Sequence, residues 1–325
     1  MKVFLTQSFG RESEYRRAIL AVLSFWAWYK GDEKVVTVIM TDKPDYFRPF
    51  FSGIEVDYLL LTTDKIKVMR GDINFIHRMK IALIDEVYQK YPNSDLLYID
   101  SDTFFTQEPS SLLNSITTGT SFMHLLEYEY ADYKIFSQSG DGEDTHKDLV
   151  SLLNTSKFET SIGEISLNGL ATWNAGVLGI ASDVKNIIPD VYQLTDIFYK
   201  RAPMNGSEQA AFSFMLQKIS TVKPAEKYVY HYWGIFKKIV LDAMLENYIS
   251  KKLANASYAD RMDKVKWLTK EIPIAIKINE DAFVHFNNDK FFKGFYLALK
   301  TLKYSFFNTP IIKDVLFQVK RRIIK

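Results

Sequence analysis

Apolar runs and mixed segments alternate regularly over the first hundred residues. Lys2–Thr6, Val35–Met40, Ile54–Leu61 and Leu96–Ile99 are short and nearly continuous in apolar or β-branched residues, which predicts strands. Between them, Glu12–Tyr29 carries Ile19, Leu20, Leu23, Trp26 and Ala27 at helical spacing. Phe75–Tyr91 predicts a second helix, stopped at Tyr91-Pro92, and Thr41-Asp42-Lys43-Pro44 is a turn signal. Strands without polar alternation, separated by helices, predict an α/β fold with a mostly parallel sheet covered on both faces.

Residues 128–168 break this rhythm. They are polar and acidic, with Ser139-Gly140-Asp141-Gly142-Glu143-Asp144 at their centre, and read as an inserted loop or lid. Order returns near 171 with a strand at Val177–Ile180 and helices at Pro189–Arg201 and Glu208–Lys218; the pattern beyond 240 is helical. Thr309–Lys325 places Ile311, Ile312, Val315, Leu316, Val319, Ile323 and Ile324 on one helical face. Lys313, Lys320, Arg321, Arg322 and Lys325 line the rest. Such a helix either packs on its own domain or lies peripherally on an anionic membrane. The expected organisation is one domain over 1–240, with the insert at 128–168 as a candidate acceptor site, and a helical C-terminal region over 241–325.

Composition narrows the choice of function. The chain of 325 residues is 47% hydrophobic, enough for a large core, and its net charge of +2 gives no polyelectrolyte argument for nucleic acid. Without cysteine there is no disulfide, zinc–thiolate site or cysteine nucleophile. The apolar start, Met1 to Gln7, is too short for a signal peptide, and no apolar run approaches the ~20 residues of a membrane span. The expected location is cytoplasmic, at the inner face of the membrane if the C-terminal helix docks there.

The richest stretch is Tyr98-Ile99-Asp100-Ser101-Asp102, where a buried strand ends on two aspartates one residue apart. If extension continues, both carboxylates point one way and repel unless a cation lies between them. Mg²⁺ or Mn²⁺ takes oxygen ligands and shares them with substrate phosphates, and ligands bind at the carboxyl ends of strands in open α/β sheets. Four clusters accompany the pair. Arg78-Met79-Lys80 precedes it on a helix, where the two cations cannot share one face closely. Trp173-Asn174-Ala175-Gly176-Val177 places an amide and a glycine before a strand, a position open to close backbone approach by a ligand. Asn205-Gly206-Ser207-Glu208-Gln209 opens a helix, with Ser207 as expected N-cap. His231-Tyr232-Trp233-Gly234-Ile235-Phe236-Lys237 offers an imidazole to complete a carboxylate shell, with a glycine and a lysine suited to a diphosphate.

With these residues together, the chain resembles the GT-A-fold glycosyltransferases, within them the retaining galactosyltransferase/glycogenin-like branch. Tyr98–Asp102 stands for the DxD motif, Asn174–Val177 for NAGV, and His231, Gly234 and Lys237 for the late His-x-x-Gly-x-x-Lys motif. Two positions depart from the family pattern: Glu208-Gln209 stands for Asp-Gln, and Lys237-Lys238-Ile239 for Lys-Pro-Trp. The resemblance spans residues 1–240. It implies a Rossmann-like mixed sheet, mostly parallel and flanked by helices, with a helical C-terminal extension. It implies that Asp100, Asp102 and His231 ligate Mn²⁺ or Mg²⁺. Thr6, Gln7, Arg78, Lys80, Asp100, Ser101, Gly234 and Lys237 would hold a nucleotide-sugar donor. Asn174, Glu208 and Gln209 would line the anomeric centre. The implied activity is transfer of a hexose, from a UDP-sugar first of all, to a glycan or lipid-linked acceptor with retention, as in polysaccharide biosynthesis.

Two other readings stay open. A haloacid-dehalogenase-like phosphatase also ends a strand on Asp-x-Asp, but Thr103-Phe104 follow here and no Asp-Asp pair lies downstream. A non-catalytic nucleotide- or carbohydrate-binding relative would bind without turnover. Glycines 140 and 142 lie in a polar loop, and no Gly-x-x-x-x-Gly-Lys-Ser/Thr loop is present, so neither an oxidoreductase nor a P-loop enzyme is supported.

Overall fold

The computed structural model describes residues 1–129, 143–166, 168–288 and 290–302, with Phe317 and Lys320. Its strands are β1 (Lys2–Ser8), β2 (Val35–Thr41), β3 (Val56–Leu60), β4 (Asp95–Ile99), β5 (Thr103–Phe105), β6 (Thr120–Met123), β7 (Leu126–Glu129), β8 (Lys157–Thr160), β9 (Gly163–Ser166), β10 (Ala171–Trp173), β11 (Val177–Ile180), β12 (Thr221–Pro224) and β13 (Val229–His231). Its helices are α1 (Glu12–Trp28), α2 (Pro44–Phe47), α3 (Thr63–Arg70), α4 (Arg78–Lys90), α5 (Ser110–Asn114), α6 (Glu143–Thr155), α7 (Ile188–Arg201), α8 (Ser207–Ile219), α9 (Ile235–Tyr248), α10 (Lys251–Ala254), α11 (Tyr258–Asn287) and α12 (Phe291–Leu302).

Seven strands form one mixed sheet in the order β12-β6-β11-β4-β1-β2-β3. Four of its pairings are parallel; β11 runs antiparallel to both β4 and β6. Consecutive residues of β1, Val3 to Thr6, are all fully buried. Since successive side chains point to opposite faces, helices must cover the sheet on both sides. Strand β3 is only half-buried, as an edge strand should be. Phe4 of β1 stacks on Phe25 of α1 at 4.3 Å, which anchors the central helix to the central strand.

Helix α1 is buried along nearly its whole middle, from Tyr15 and from Arg17 through Phe25. It packs against α9 and α11 as well as β5. Arg17 donates to Asp242 at 2.7 Å and to Glu14 at 2.7 Å, and the Trp28 indole donates to Thr269 at 3.1 Å. The boundary expected at 240 therefore falls inside α9, and α9 to α11 contribute Val240, Leu245, Val265 and Ile272 to the main core.

Val177–Ile180 forms the expected strand and runs antiparallel to β4. Two expectations meet a different structure. The segment expected as a loop or lid contains α6 and the hairpin β8–β9 among its described residues. Helix α8 is capped at Gly206, not Ser207; the Ser207 hydroxyl instead donates to Met204 O at 2.9 Å. The basic face expected over Thr309–Lys325 lies outside the described residues, Phe317 and Lys320 excepted. Among the described residues, no helix is long and apolar enough to cross a membrane.

Candidate active site

Sheet geometry brings distant residues to one rim. Strand β4 ends at Ile99, which pairs with Val177 at the start of β11. Because β11 is reversed, the loop before it meets the loop after β4, and Asp100 N donates to Gly176 O at 2.9 Å. The β5–β13 ladder sets His231 opposite Thr103, beside Asp102. The β7–β10 pair brings Glu127 to Asn174. Ser213 of α8 accepts from Trp173 N at 2.9 Å and Gln217 donates to Ala171 O at 2.7 Å, which fixes α8 to β10 and sets Gln209 at the rim.

Asp100, Asp102 and His231 each offer a ligand atom, all within 4.8 Å of one another. The Asn174 amide settles how His231 faces. Its Oδ1 accepts from Gly176 N at 2.9 Å, so the oxygen lies on that side, and His231 Nδ1, 3.0 Å from the same oxygen, must carry its hydrogen. Nε2 then faces Asp102 Oδ1, 3.3 Å away: it donates to the carboxylate when the ring is protonated and turns a lone pair to a metal ion when it is not. Two hard carboxylates and one oriented imidazole suit Mn²⁺ or Mg²⁺, so the donor set fits the expected ion.

Lysines balance the carboxylates. Lys238 Nζ lies 2.6 Å from Asp102 Oδ2. Burial alone would raise the Asp102 carboxyl; its hydrogen bond to His231 and the charges of His231 and Lys238 outweigh this and hold it well below the usual carboxylate range. Lys80 is buried and spends its three hydrogens on Glu208 Oε1 at 3.0 Å, Ala175 O at 2.9 Å and Asp100 at 3.4 Å. Burial alone would lower the Lys80 ammonium, but Asp100 and Glu208 together raise it. The Tyr98 hydroxyl donates to Asp100 Oδ1. Burial, then the charge of Asp100, pushes that hydroxyl well above its ordinary value.

The aspartates stand on a divide between two clefts. One, about 370 Å³, is lined by Gln7, Ser8, Phe9, Glu14, Ile76, Tyr98 and Ser101. The other, about 490 Å³, is lined by Lys80, Glu127, Tyr128, Asn174, Gly176, Met204, Asn205, Gly206, Glu208, Gln209, His231 and Trp233. His77, Asp100, Asp102 and Lys238 line both. A third cavity of about 530 Å³, around Tyr248, Lys252 and Lys264, holds no such conjunction of carboxylates and imidazole.

Of the expected site residues, Gln7, Lys80, Asp100, Ser101, Asp102, Asn174, Glu208, Gln209 and His231 line the two clefts. Thr6, the residue before Gln7 on β1, is fully buried and does not line either cleft. Arg78 is not brought there: it pairs with Asp196 at 2.8 Å and stacks over Tyr192. Lys237 faces Glu280 at 3.9 Å and the Trp233 ring, and the neighbouring Lys238 faces the aspartates. Gly234 caps α9. The space left by Gly176 is filled by His231, whose ring would lie 2.4 Å from an added Cβ.

Glu127 and His124 carry no sequence signal. Glu127 accepts from Asn174 Nδ2 at 2.8 Å and from Gln209 Nε2 at 2.7 Å, so one carboxylate orients both amides. His124 is buried and donates from Nε2 to Val229 O at 3.1 Å, leaving Nδ1 without a partner. Burial, with the charge of His231, pushes its pKa down to about 4.

No family model matches the sequence, and no curated protein matches it. Among solved structures, the chain is similar to galactosyltransferase LgtC in complex with donor and acceptor sugar analogs, at 12% identity and a TM-score of 0.43, over 72% of this chain and 87% of that one. It is also similar to mouse xyloside xylosyltransferase 1 in its apo form, at 12% identity and a TM-score of 0.42, over 69% of this chain and 84% of that one. Likeness at this level says nothing of substrate; the chemistry stands on the side chains above.

Proposed function

We propose that the chain is a metal-dependent glycosyltransferase. It moves a hexose from a nucleotide diphosphate sugar, in the first instance a UDP-sugar, to a hydroxyl of a glycan or glycolipid, with retention. One observation carries the reading: Asp100 and Asp102 stand where two clefts meet, with His231 and Lys238 beside them. A donor laid across that divide has its nucleoside in the first cleft, its diphosphate at the aspartates and its sugar in the second.

Asp100, Asp102 and His231 would hold Mn²⁺ or Mg²⁺, which supplies charge neutralisation to a departing nucleoside diphosphate. Lys238 supplies a second positive charge at the same place, moving from Asp102 toward the phosphates. Gln209 faces the anomeric centre. Its Oε1 accepts one bond, from Ala175 N at 3.1 Å, and keeps a lone pair for an electron-poor sugar carbon. Asn174 Oδ1 already accepts two bonds, so Asn174 acts by positioning His231. Glu208 Oε2 is buried without a partner, which leaves one oxygen for an acceptor or sugar hydroxyl. Exposed Trp233 offers an aromatic face to a sugar ring. The leaving phosphate takes the acceptor's proton, so the reaction needs no strong protein base. On the strength of the cationic C-terminal sequence, the proposal takes the acceptor as lipid-linked and the place of action as the cytoplasmic face of a membrane.

The test is thermal stability against a panel of nucleoside diphosphates with and without Mn²⁺, alongside turnover of nucleotide sugars, for the native protein and Asp102→Asn. One nucleotide at about 100-fold above its Kd should raise the melting temperature by a few degrees in a Mn²⁺-dependent way. The variant should lose that rise and about 10³-fold in turnover. No shift with any nucleotide overturns the reading, and phosphate release from monoesters would favour a phosphatase.

A further inference from the structure

Helix α12 is apolar on both sides. Its inner side, Gly294, Ala298 and Thr301, is buried and packs on α11. A Cβ at Gly294 would come 2.7 Å from the Phe286 ring, so the two helices meet at close range. Its outer side carries Phe292, Phe295, Tyr296 and Leu299, the i, i+3, i+4, i+7 spacing of a single helical face. Phe292 is 87% exposed, Tyr296 56% and Leu299 49%. A surface helix ordinarily turns charged residues there, and a helix apolar all round is normally covered by something.

The border of that face is basic. Lys290, Lys293 and Lys300 are exposed, and none forms an ion pair with a carboxylate among the described residues. Helix α12 itself has no Asp or Glu. Lys300 Nζ lies 4.6 Å from the Tyr296 ring centroid, its stem covering the aromatic face.

We propose that this face of α12 docks on an anionic lipid bilayer. Phe292, Phe295, Tyr296 and Leu299 enter the boundary between headgroups and acyl chains, and Lys290, Lys293 and Lys300 meet lipid phosphates. Charge selects this occupant over the others. A second copy packed face to face would set like lysines against one another. Residues 309–325 of the same chain carry five basic residues against the single acid Asp314, and would meet the same repulsion. A layer of anionic headgroups complements the lysines and accepts the aromatic rings at the depth they prefer. The proposal stands independently of glycosyl transfer, because its readout needs no turnover.

The test is co-sedimentation of the full chain with vesicles of phosphatidylcholine alone and of phosphatidylcholine mixed with phosphatidylglycerol. Binding should be about tenfold or more tighter to the anionic vesicles. Phe292→Ser/Tyr296→Ser should weaken it about tenfold, and Lys293→Glu/Lys300→Glu should abolish the lipid preference. Both variants should keep the circular dichroism and melting temperature of the native chain, which separates lost docking from lost folding. A third full-length variant, Lys320→Gln/Arg321→Gln/Arg322→Gln, tests the tail. Loss of binding there, with both α12 variants unaffected, overturns the proposal. So does native protein that binds neither vesicle. A dimer in sedimentation that Phe292→Ser/Tyr296→Ser dissolves, without vesicle binding, would assign the face to a second copy instead.

Discussion

The two clefts that meet at Asp100 and Asp102 are built in opposite ways. The first is floored by the regular end of β1, where Gln7 Oε1 and Ser8 Oγ are buried without partners. The second is assembled from strands of three or four residues and the first turn of α8, and is nearly saturated with internal bonds. Glu127 holds two amides, Asn174 accepts two donors and Lys80 spends all three hydrogens. Buried polar atoms without partners are costly, so the first cleft keeps bonding capacity that a ligand can use. The second uses its capacity to fix its own shape, which is what preorganised chemistry requires.

The sharpest way to break this contrast is Glu127→Gln. An amide in place of the carboxylate turns N–H groups toward those of Asn174 or Gln209, and through Asn174 it loosens His231. Turnover and Mn²⁺ affinity should each fall by about 10- to 100-fold, as for lost supporting bonds around a metal ligand. Steady-state kinetics and Mn²⁺ titration read this, and near-native values would mean the second cleft does not depend on its internal bonds. Next in size is a pH effect centred on His124, behind the second cleft. Its pKa is depressed from 6.5 to about 4 in the fold. A depressed base is neutral when folded and protonated more readily when unfolded. Its contribution is therefore full above about 6.5 and is lost as pH falls toward about 4, a span worth up to about 3 kcal/mol. Urea unfolding across that range should slope less for His124→Phe than for the native chain; parallel slopes would remove His124 from the account. Gly176→Ala should cost about 1–3 kcal/mol by overpacking against His231. A neutral result in the same assay would show the ring can move aside. Smallest is Lys238→Gln, at the divide itself. Removing the ammonium from Asp102 should strengthen Mn²⁺ binding to the nucleotide-free protein by about tenfold and weaken nucleoside diphosphate binding. Loss of both affinities together would mean Lys238 only supports the fold.

The same contrast explains what the sequence disclosed. The central strands were legible because β1, β2 and β4 are apolar on both faces, and the aspartates stood out because β4 stops on them. The direction of β11 was not legible: four apolar residues look alike in either orientation, and the crossover decides. Strands β5, β7, β10 and β13 have three or four residues, too few for an alternation to register. Glu127 was hidden by company, since Glu129 stands two residues away and only the β7–β10 pairing singles one out. Helical phase separated the cations. Lys237 and Lys238 differ by about 100° around α9, enough to turn one toward Glu280 and the other toward Asp102. Arg78 and Lys80 diverge for the same reason, toward Asp196 and Asp100.

The buried helix α1 also has a consequence in time. Its bonds to Asp242 and Thr269 close loops of 225 and 241 residues. A chain emerging from the ribosome makes this helix early, and its apolar surface must then wait for residues 235–287 before α9 and α11 can cover it. Contacts of such long separation slow folding and leave sticky surface exposed meanwhile. Helices α9 and α11 thus govern whether the newborn chain survives to reach its folded form, and chaperone dependence should follow their completion rather than that of the sheet.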